Sequence, residues 1–235
     1  MLFSAPSLLF PLFLLSTGLT NVILRINSVV MKNLDISSKI IAIAVLFFAA
    51  SIIIAQLFTP STYSWTQNTV SELAAQNYDN AWIMSIGLMG YGILLGLGII
   101  LRLKNTREFV FPDAMVFIYA VGIFLSGVFA TAPFDGNTNY SMQEASLHSI
   151  FATAAGLSIS IAMISYFFAD KGFKRKLTHL ALAVFVVGLS ALFGLAEDGT
   201  VAIGKGLVQR SMYVFGLSWI VVNYNFYRLD ISQTQ

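Results

Sequence analysis

Cysteine is absent from this sequence of 235 residues, and charged residues are scarce. The lack of cysteine excludes disulfides, thiolate metal sites, iron–sulfur clusters and cysteine nucleophiles. Only 10% of the residues are charged, whereas an ordinary soluble domain has roughly 25%. The formal net charge of +2 gives no support for a nucleic-acid binder. The sequence also lacks a GxSxG elbow, an HExxH motif, a Walker loop and a dinucleotide fingerprint.

Apolar residues dominate what is present. Hydrophobic residues make up 57% of the chain, and the mean hydropathy is +0.79. A soluble globule of this composition could not cover its apolar residues with polar surface, and disordered chains are poor in apolar residues. The composition therefore predicts an integral membrane protein.

Six stretches have the approximately 20 mostly apolar residues that a membrane-spanning helix needs. They run over residues 39–58, 82–101, 113–132, 146–169, 178–196 and 207–227. The predicted fold class is an all-α integral membrane protein built as a six-helix transmembrane bundle.

Residues 1–30 form a separate apolar segment before this six-helix domain of residues 31–235. Residues 2–24 have no basic start and no clear cleavage site, so they make a poor signal peptide. One interpretation is a seventh transmembrane helix. The other is an upstream extension, because Met31 opens a segment that reads like a natural start.

Basic residues gather in the loops on one side of the predicted bundle, which we call the basic end. They are Lys32, Lys39, Arg102, Lys104, Arg107, Lys171, Lys174, Arg175, Lys176 and Arg228. The other side, the acidic end, carries Glu72, Asp79, Asp135, Glu144, Glu197 and Asp198, with Lys205 and Arg210 as its basic residues. The positive-inside rule predicts a cell-membrane protein whose six-helix core has both ends in the cytoplasm.

Small residues recur at four-residue spacing within the predicted helices. The pairs are Gly92 with Gly96 and Gly122 with Ser126, followed by the series Ala152, Gly156 and Ser160. This spacing lets helix backbones approach closely in lipid, and predicts tight seams inside the bundle. The same faces also allow a homo-oligomer.

Polar residues at the acidic end supply the candidate ligand-binding set, which is Arg210, Glu72, Glu197 and Asp198. Arg210 lies about one turn inside the sixth helix, and we expect it to pair with Asp135, Glu197 or Asp198, or else to snorkel to the head groups. Glu72 has an alternative role, because Thr69 and Glu72 have the spacing of a capping box.

The candidate catalytic set is His148 as a base, Asp135 to orient it and Ser71, or else an activated water, as the nucleophile. Two members also have a structural interpretation: Asp135 sits in a turn sequence, and His148 is a single interfacial histidine. The other histidine, His179, is predicted at the basic end, about 30 Å away. No metal site and no cofactor is predicted, because a two-histidine site cannot form across that distance.

The motifs at these positions resemble the membrane-protein family catalogued as domain of unknown function 998. The resemblance rests on Ser71-Glu72-Leu73, Pro133-Phe134-Asp135, Leu147-His148, Gly206-Leu207, Gln209-Arg210 and Trp219, and covers residues 39–227. The family's Phe-Pro-x-Asp motif has Ala132 in place of the Phe. The resemblance implies a compact six-helix bundle and no established reaction.

A looser similarity links the chain to the superfamily of alkaline ceramidases and progestin-receptor-like proteins. Membrane hydrolases of that superfamily use Ser, Asp and three His around zinc. This chain offers Ser71, Asp135 and one usable histidine, so the similarity does not extend to that site.

Three functions remain open at this point. The first is binding of a membrane lipid or small amphiphile at the outer leaflet, beside Arg210 and an aromatic rim. The second is an intramembrane hydrolase or transferase that uses Ser71, Asp135 and His148. The third is a proton-coupled transporter with a relay of Glu197, Asp198 and Arg210, although transporters usually place charge near the midplane.

Overall fold

Six α-helices make up most of the chain in a computed structural model that describes residues 36–106 and 110–226. In order, they are α1 Ile36–Leu57, α2 Ala81–Thr106, α3 Phe111–Val128, α4 Met142–Ala169, α5 Phe173–Glu197 and α6 Lys205–Val221. A short 3₁₀ helix, Ser71–Ala74, lies between α1 and α2, and a π-helical turn, Val222–Phe226, prolongs α6. Residues 1–30, with both interpretations of that segment, lie outside the described residues.

The predicted all-α membrane class is confirmed. The helices α1 to α5 are long and apolar enough to cross a membrane. With its 22 residues, α1 spans about 33 Å at 1.5 Å per residue, which matches a hydrocarbon core. The α-helical part of α6 has 17 residues. Within the described ranges, β-structure is limited to one isolated bridge between Ala75 and Thr131.

The helices pack in chain order, each against the next, and α6 also contacts α1. Most of their outward surface is apolar. Leu46 on α1 is 69% exposed and Val184 on α5 is 62% exposed. Large apolar side chains exposed on helix after helix fit a lipid environment, since water would disfavour such an apolar surface.

Aromatic rings from four helices fill the interior. Phe48 of α1 stacks on Tyr91 of α2, with ring centroids 4.6 Å apart, and meets Tyr213 of α6 edge-on at 5.2 Å. Tyr91 also contacts Tyr119 of α3, at 6.1 Å. These contacts tie α1, α2, α3 and α6 together through wide, rigid side chains.

Close seams form at some of the predicted small residues. A Cβ atom placed on Gly92 would lie 2.6 Å from the carbonyl oxygen of Ala120, and one on Gly122 would lie 2.9 Å from the Cβ atom of Ala155. Both glycines are therefore needed where α2 meets α3 and α3 meets α4. Gly156 differs, because its Cβ atom would meet no described atom within 4 Å. The α4 seam uses Ala155 instead.

Candidate functional site

Three connecting segments meet at the acidic end. The side chain of Gln76, in the loop before α2, donates to the carbonyl oxygens of Ala130 and Ser141 on the loop after α3. The backbone N–H of Leu207, at the start of α6, donates to the carbonyl oxygen of Thr66 over 3.0 Å. Segments far apart in sequence thus form one surface. This follows from the helix order, because alternate loops of an up-and-down bundle lie at the same end.

Glu72 is held by a capping box and by an ion pair. The Thr69 N–H donates to Glu72 Oε2 over 2.7 Å, and the Glu72 N–H donates to Thr69 Oγ1 over 3.2 Å. This reciprocal pair is the predicted capping box. Lys205 Nζ lies 2.6 Å from Glu72 Oε1. With both oxygens engaged, Glu72 fixes the start of the 3₁₀ helix and the start of α6.

Arg210 binds neutral oxygens. Its Nη1 donates to the carbonyl oxygens of Asn68 and Gly206, at 2.8 and 3.1 Å, and its Nη2 donates to Gln56 Oε1 and Tyr63 Oη, at 3.0 and 2.7 Å. In the described part of the chain, no carboxylate lies within ion-pair distance of its guanidinium. The predicted pairing with Asp135, Glu197 or Asp198 is therefore wrong.

Tyr63 connects Arg210 to the loop. Its hydroxyl accepts from Arg210 and donates to the carbonyl oxygen of Thr69 over 2.9 Å. Burial raises the pKa of the Tyr63 hydroxyl, and the hydrogen bond from Arg210 acts in the opposite direction. Tyr63 and Arg210 thus hold the segment between α1 and the 3₁₀ helix against α6 by hydrogen bonds.

The three acids expected beside Arg210 lie in exposed turns or helix ends instead. Asp135 Oδ1 accepts from the Asn137 N–H over 3.0 Å, which is the local turn bond its sequence suggests. Asp198 Oδ1 accepts from the Thr200 N–H over 2.8 Å. Hydrogen bonds from Thr200 hold the pKa of Asp198 below its usual range. Glu197 ends α5 and is exposed.

His148 anchors α4 to the end of α3. The residue is 3% exposed, and Nδ1 lies 2.8 Å from the carbonyl oxygen of Ser126 and 2.9 Å from that of Phe129. Carbonyl oxygens only accept, so Nδ1 carries a proton and shares it between them. The histidine thus satisfies carbonyls that the end of α3 leaves without helical partners.

The predicted catalytic set does not assemble as a hydrogen-bonded triad. Ser71 Oγ lies 3.0 Å from Thr69 Oγ1, while Asp135 and His148 have the backbone partners described above. Among the described residues, no hydrogen bond joins any two of these three side chains. In the same ranges, no three His, Asp or Glu side chains are grouped as metal ligands would be.

A cavity of about 330 Å³ opens at the acidic end. Eleven residues line it, from three loop segments at positions 58–62, 76–80 and 133–135. Three of them are aromatic, Phe58, Tyr78 and Phe134, and two are acidic, Asp79 and Asp135. Of the seven predicted site residues, only Asp135 is part of this lining.

Hydrogen bonds and ring contacts hold the walls of this cavity in place. The Tyr78 hydroxyl donates to the carbonyl oxygen of Phe58 over 2.9 Å, and Asn77 Nδ2 donates to that of Asn139 over 2.8 Å. Asn77 has a φ of 62°, a conformation that asparagine tolerates better than most residues. Phe134 meets Tyr78 edge-on, with centroids 5.7 Å apart. The cavity is therefore a formed feature of the fold.

A second polar cluster lies at the basic end, centred on Asp113. This carboxylate is fully buried and accepts from Arg102 Nε over 2.9 Å and from the Tyr224 hydroxyl over 2.7 Å. The Tyr166 hydroxyl donates to it as well. The Arg102 guanidinium also lies over the Tyr224 ring, at 5.3 Å. We call these four residues the Asp113 cluster.

His179 lies next to the Asp113 cluster, and its ring stacks on Tyr166 at 5.5 Å. Trp219 Nε1 donates to His179 Nδ1 over 2.9 Å. Because an indole N–H only donates, Nδ1 is unprotonated and Nε2 carries the hydrogen. That Nε2 lies 3.3 Å from Asp170 Oδ2, and Asp170 also pairs with Arg175.

The sequence places two charged residues of the Asp113 cluster, Arg102 and Asp113, at the ends of consecutive apolar stretches. Hydropathy alone does not indicate that they pair. Asp113 follows Pro112 in the first turn of α3, where an acid reads as a helix-dipole partner. The apolar stretch ends at residue 101, so hydropathy alone places Arg102 in a loop. The helix α2 continues to Thr106, so Arg102 is inside it and faces α3.

Comparison with known proteins identifies the family. Residues 41–223 match the family described as protein of unknown function, DUF998. The chain belongs to this family. The match confirms the resemblance drawn from the sequence motifs over residues 39–227. No curated protein and no solved structure matches the chain.

Three of the DUF998 motif residues in α6 contact the loop that leads into the Ser71-Glu72-Leu73 motif. The Val70 N–H donates to Gln209 Oε1 over 2.6 Å, and Arg210 binds the carbonyl oxygen of Asn68. A Cβ atom on Gly206 would lie 2.1 Å from that same oxygen. The motif in α6 therefore docks this helix on the loop that carries Ser71 and Glu72.

Proposed function

We propose that this DUF998 protein binds the head group of a membrane lipid or another small amphiphile in the cavity at the acidic end. The observation that carries the proposal is the cavity itself, with its volume of about 330 Å³ and its mixed aromatic and polar lining. Small-molecule sites are concave, largely pre-formed and begin at about 300 Å³. This cavity is pre-formed in that sense, because hydrogen bonds within the protein hold its walls in place.

An amphiphile is favoured over a fully water-soluble ligand because of where the cavity lies. Phe58 lines it and directly follows the last residue of α1. Leu57 is 76% exposed and Phe58 is 55% exposed, beside the cavity. A head group in the cavity would leave its apolar tail room along the lipid-facing end of α1.

This proposal moves the ligand away from Arg210 and Glu72, whose charged groups are occupied within the protein. The hydrolase alternative has less support, because Ser71, Asp135 and His148 have separate partners. The transport alternative is weakened because Glu197 and Asp198 are exposed while Arg210 is bound to neutral oxygens.

A bulky side chain at the cavity wall tests the proposal. Thr62 is exposed and lines the cavity, whereas its neighbour Ser61 is exposed and does not. Thr62→Trp should fill the cavity, and Ser61→Trp is the matched control. Native mass spectrometry of protein purified in mild detergent would measure the lipid retained per chain.

We expect the unchanged protein and Ser61→Trp to retain one lipid, and Thr62→Trp to lose it. Circular dichroism and the unfolding temperature would establish that both variants fold. Equal retention by a folded Thr62→Trp variant would show that the cavity is not the binding site.

A further inference from the structure

We infer that the cavity at the acidic end selects a cationic head group, a primary or quaternary ammonium. This inference rests on the proposed function and names the chemical class of its ligand. It starts from the charges that line the cavity. Asp79 and Asp135 both belong to the lining, and none of the eleven described lining residues is Lys, Arg or His.

The basic residues of the acidic end are committed elsewhere. Lys205 is paired with Glu72, and Arg210 is bound to the loop and to Gln56. Asp135 uses one oxygen for the Asn137 N–H. An anionic head group would be repelled by the two carboxylates of the lining without a compensating lining cation, whereas an ammonium group would be attracted to them.

The aromatic residues of the lining point to the same class. The faces of aromatic rings carry negative potential, and aromatic side chains recognise ammonium and quaternary ammonium groups. Phe58, Tyr78 and Phe134 all contribute to the cavity. Phe134 is fixed by edge-on contacts to Tyr63 at 5.4 Å and to Tyr78 at 5.7 Å. Rings and carboxylates in one pre-formed cavity are the two features an ammonium group needs.

Two asparagine substitutions would remove the negative charge of the lining, and we expect both to leave the fold unchanged. Asp135→Asn keeps an oxygen that can accept from the Asn137 N–H, so the turn is retained. Asp79→Asn has the same shape in an exposed position. The control is Glu144→Gln, which removes an acid of the first turn of α4 outside the lining and leaves the backbone bond from the Glu144 N–H to Ser141 Oγ in place.

The experiment reconstitutes the full chain in nanodiscs of equal parts phosphatidylethanolamine and phosphatidylglycerol. Native mass spectrometry then measures which lipid stays bound. We expect the protein and Glu144→Gln to favour phosphatidylethanolamine by about tenfold, and the double variant Asp79→Asn with Asp135→Asn to lose that preference.

A second arm adds tetramethylammonium chloride and measures lipid displacement and the unfolding temperature. Displacement would show that the ammonium group is recognised without a tail, and thus that a free amine can be the source. A preference for phosphatidylethanolamine without displacement would assign the site to a lipid. Both results support the inference.

Retention of phosphatidylglycerol at equal or higher level would overturn the cationic class and leave the proposed amphiphile binding intact. An unchanged preference for phosphatidylethanolamine in the double variant would also overturn the cationic class and leave the proposed amphiphile binding intact. Absence of any retained lipid, together with no effect of tetramethylammonium, would overturn the inference and the proposed function together.

Discussion

Asp113 has no exposed surface, although it carries a carboxylate into a bundle of apolar helices. Ionisable groups within membrane segments are costly unless they are paired. Asp113 meets that condition with three donors, from Arg102 on α2, Tyr166 on α4 and Tyr224 in the π-helical turn. One side chain of α3 thus connects three other elements at the basic end.

Replacing Asp113 should destabilise the protein strongly. Removing one partner of a buried ion pair typically costs about 3–5 kcal/mol, because the other charge is left unpaired. We expect Asp113→Ala to lower the free energy of unfolding by an amount of this order. Asp113→Asn should cost less, because the amide oxygen still accepts from the tyrosines. Thermal unfolding in detergent would measure both variants.

The control is Asp198→Asn, because Asp198 is exposed and asparagine can keep its bond from the Thr200 N–H. This variant should unfold at the temperature of the unchanged protein. Wild-type stability of Asp113→Ala would contradict the structural role of the Asp113 cluster.

Local contacts at the residue scale could be predicted from the sequence, whereas contacts between segments could not. The capping box of Thr69 and Glu72 and the Asp135 turn involve residues two or three positions apart, so their spacing predicts them. The partners of Arg210 include backbone carbonyls of Asn68 and Gly206. Every residue has a carbonyl, so side-chain identity carries no signal for such a partner.

At the scale of elements, the first residues of α6 are bound by several hydrogen bonds to the loop before the 3₁₀ helix. Gly206 is buried against the loop before the 3₁₀ helix, and the Leu207 N–H donates to the carbonyl oxygen of Thr66. Lys205, Gln209 and Arg210 add bonds to the same loop. The first turn and a half of α6 is therefore a docking surface built from neighbouring residues.

Two glycines of α6 provide a matched test of this docking. A Cβ atom on Gly206 would lie 2.1 Å from the Asn68 carbonyl oxygen, whereas one on Gly216 would meet no described atom within 4 Å. Gly206→Ala should therefore displace the loop and lower the unfolding temperature. Gly216→Ala should be neutral or stabilising, since alanine favours a helix by up to about 1 kcal/mol. Equal unfolding temperatures for the two variants would refute the docking.

Hydropathy predicted the helices and missed their ends. The predicted stretch 146–169 begins four residues after the true start of α4 at Met142, where Ser141 Oγ accepts from the Glu144 N–H. The predicted stretch 113–132 runs past the end of α3 at Val128. Apolar composition indicates the part of a helix that lies in lipid. Hydropathy misses the helix ends because polar caps and turns determine where a helix begins and ends.

At the scale of the whole molecule, an apolar exterior separates two ends of different charge. The loop between α4 and α5 and the start of α5 carry Lys171, Lys174, Arg175 and Lys176. The acidic end carries the cavity with Asp79 and Asp135. If the positive-inside rule holds, the cavity faces the outside, where its ligand would come from the outer leaflet or from the surrounding medium.

Single cysteines can determine this orientation, because the natural chain has none. Asn137, Thr200 and Lys174 are all exposed, the first two at the acidic end and the third at the basic end. We expect an impermeant thiol reagent to label Asn137→Cys and Thr200→Cys in intact cells. It should label Lys174→Cys only after the cells are made permeable, which also shows that this thiol is reactive. The cysteine-free protein controls for background labelling.

The two positions at the acidic end follow different helices, since Asn137 comes after α3 and Thr200 comes after α5. Agreement between them therefore tests the helix order as well as the orientation. Labelling of Lys174→Cys in intact cells, with protection of the other two, would place the cavity on the cytoplasmic side.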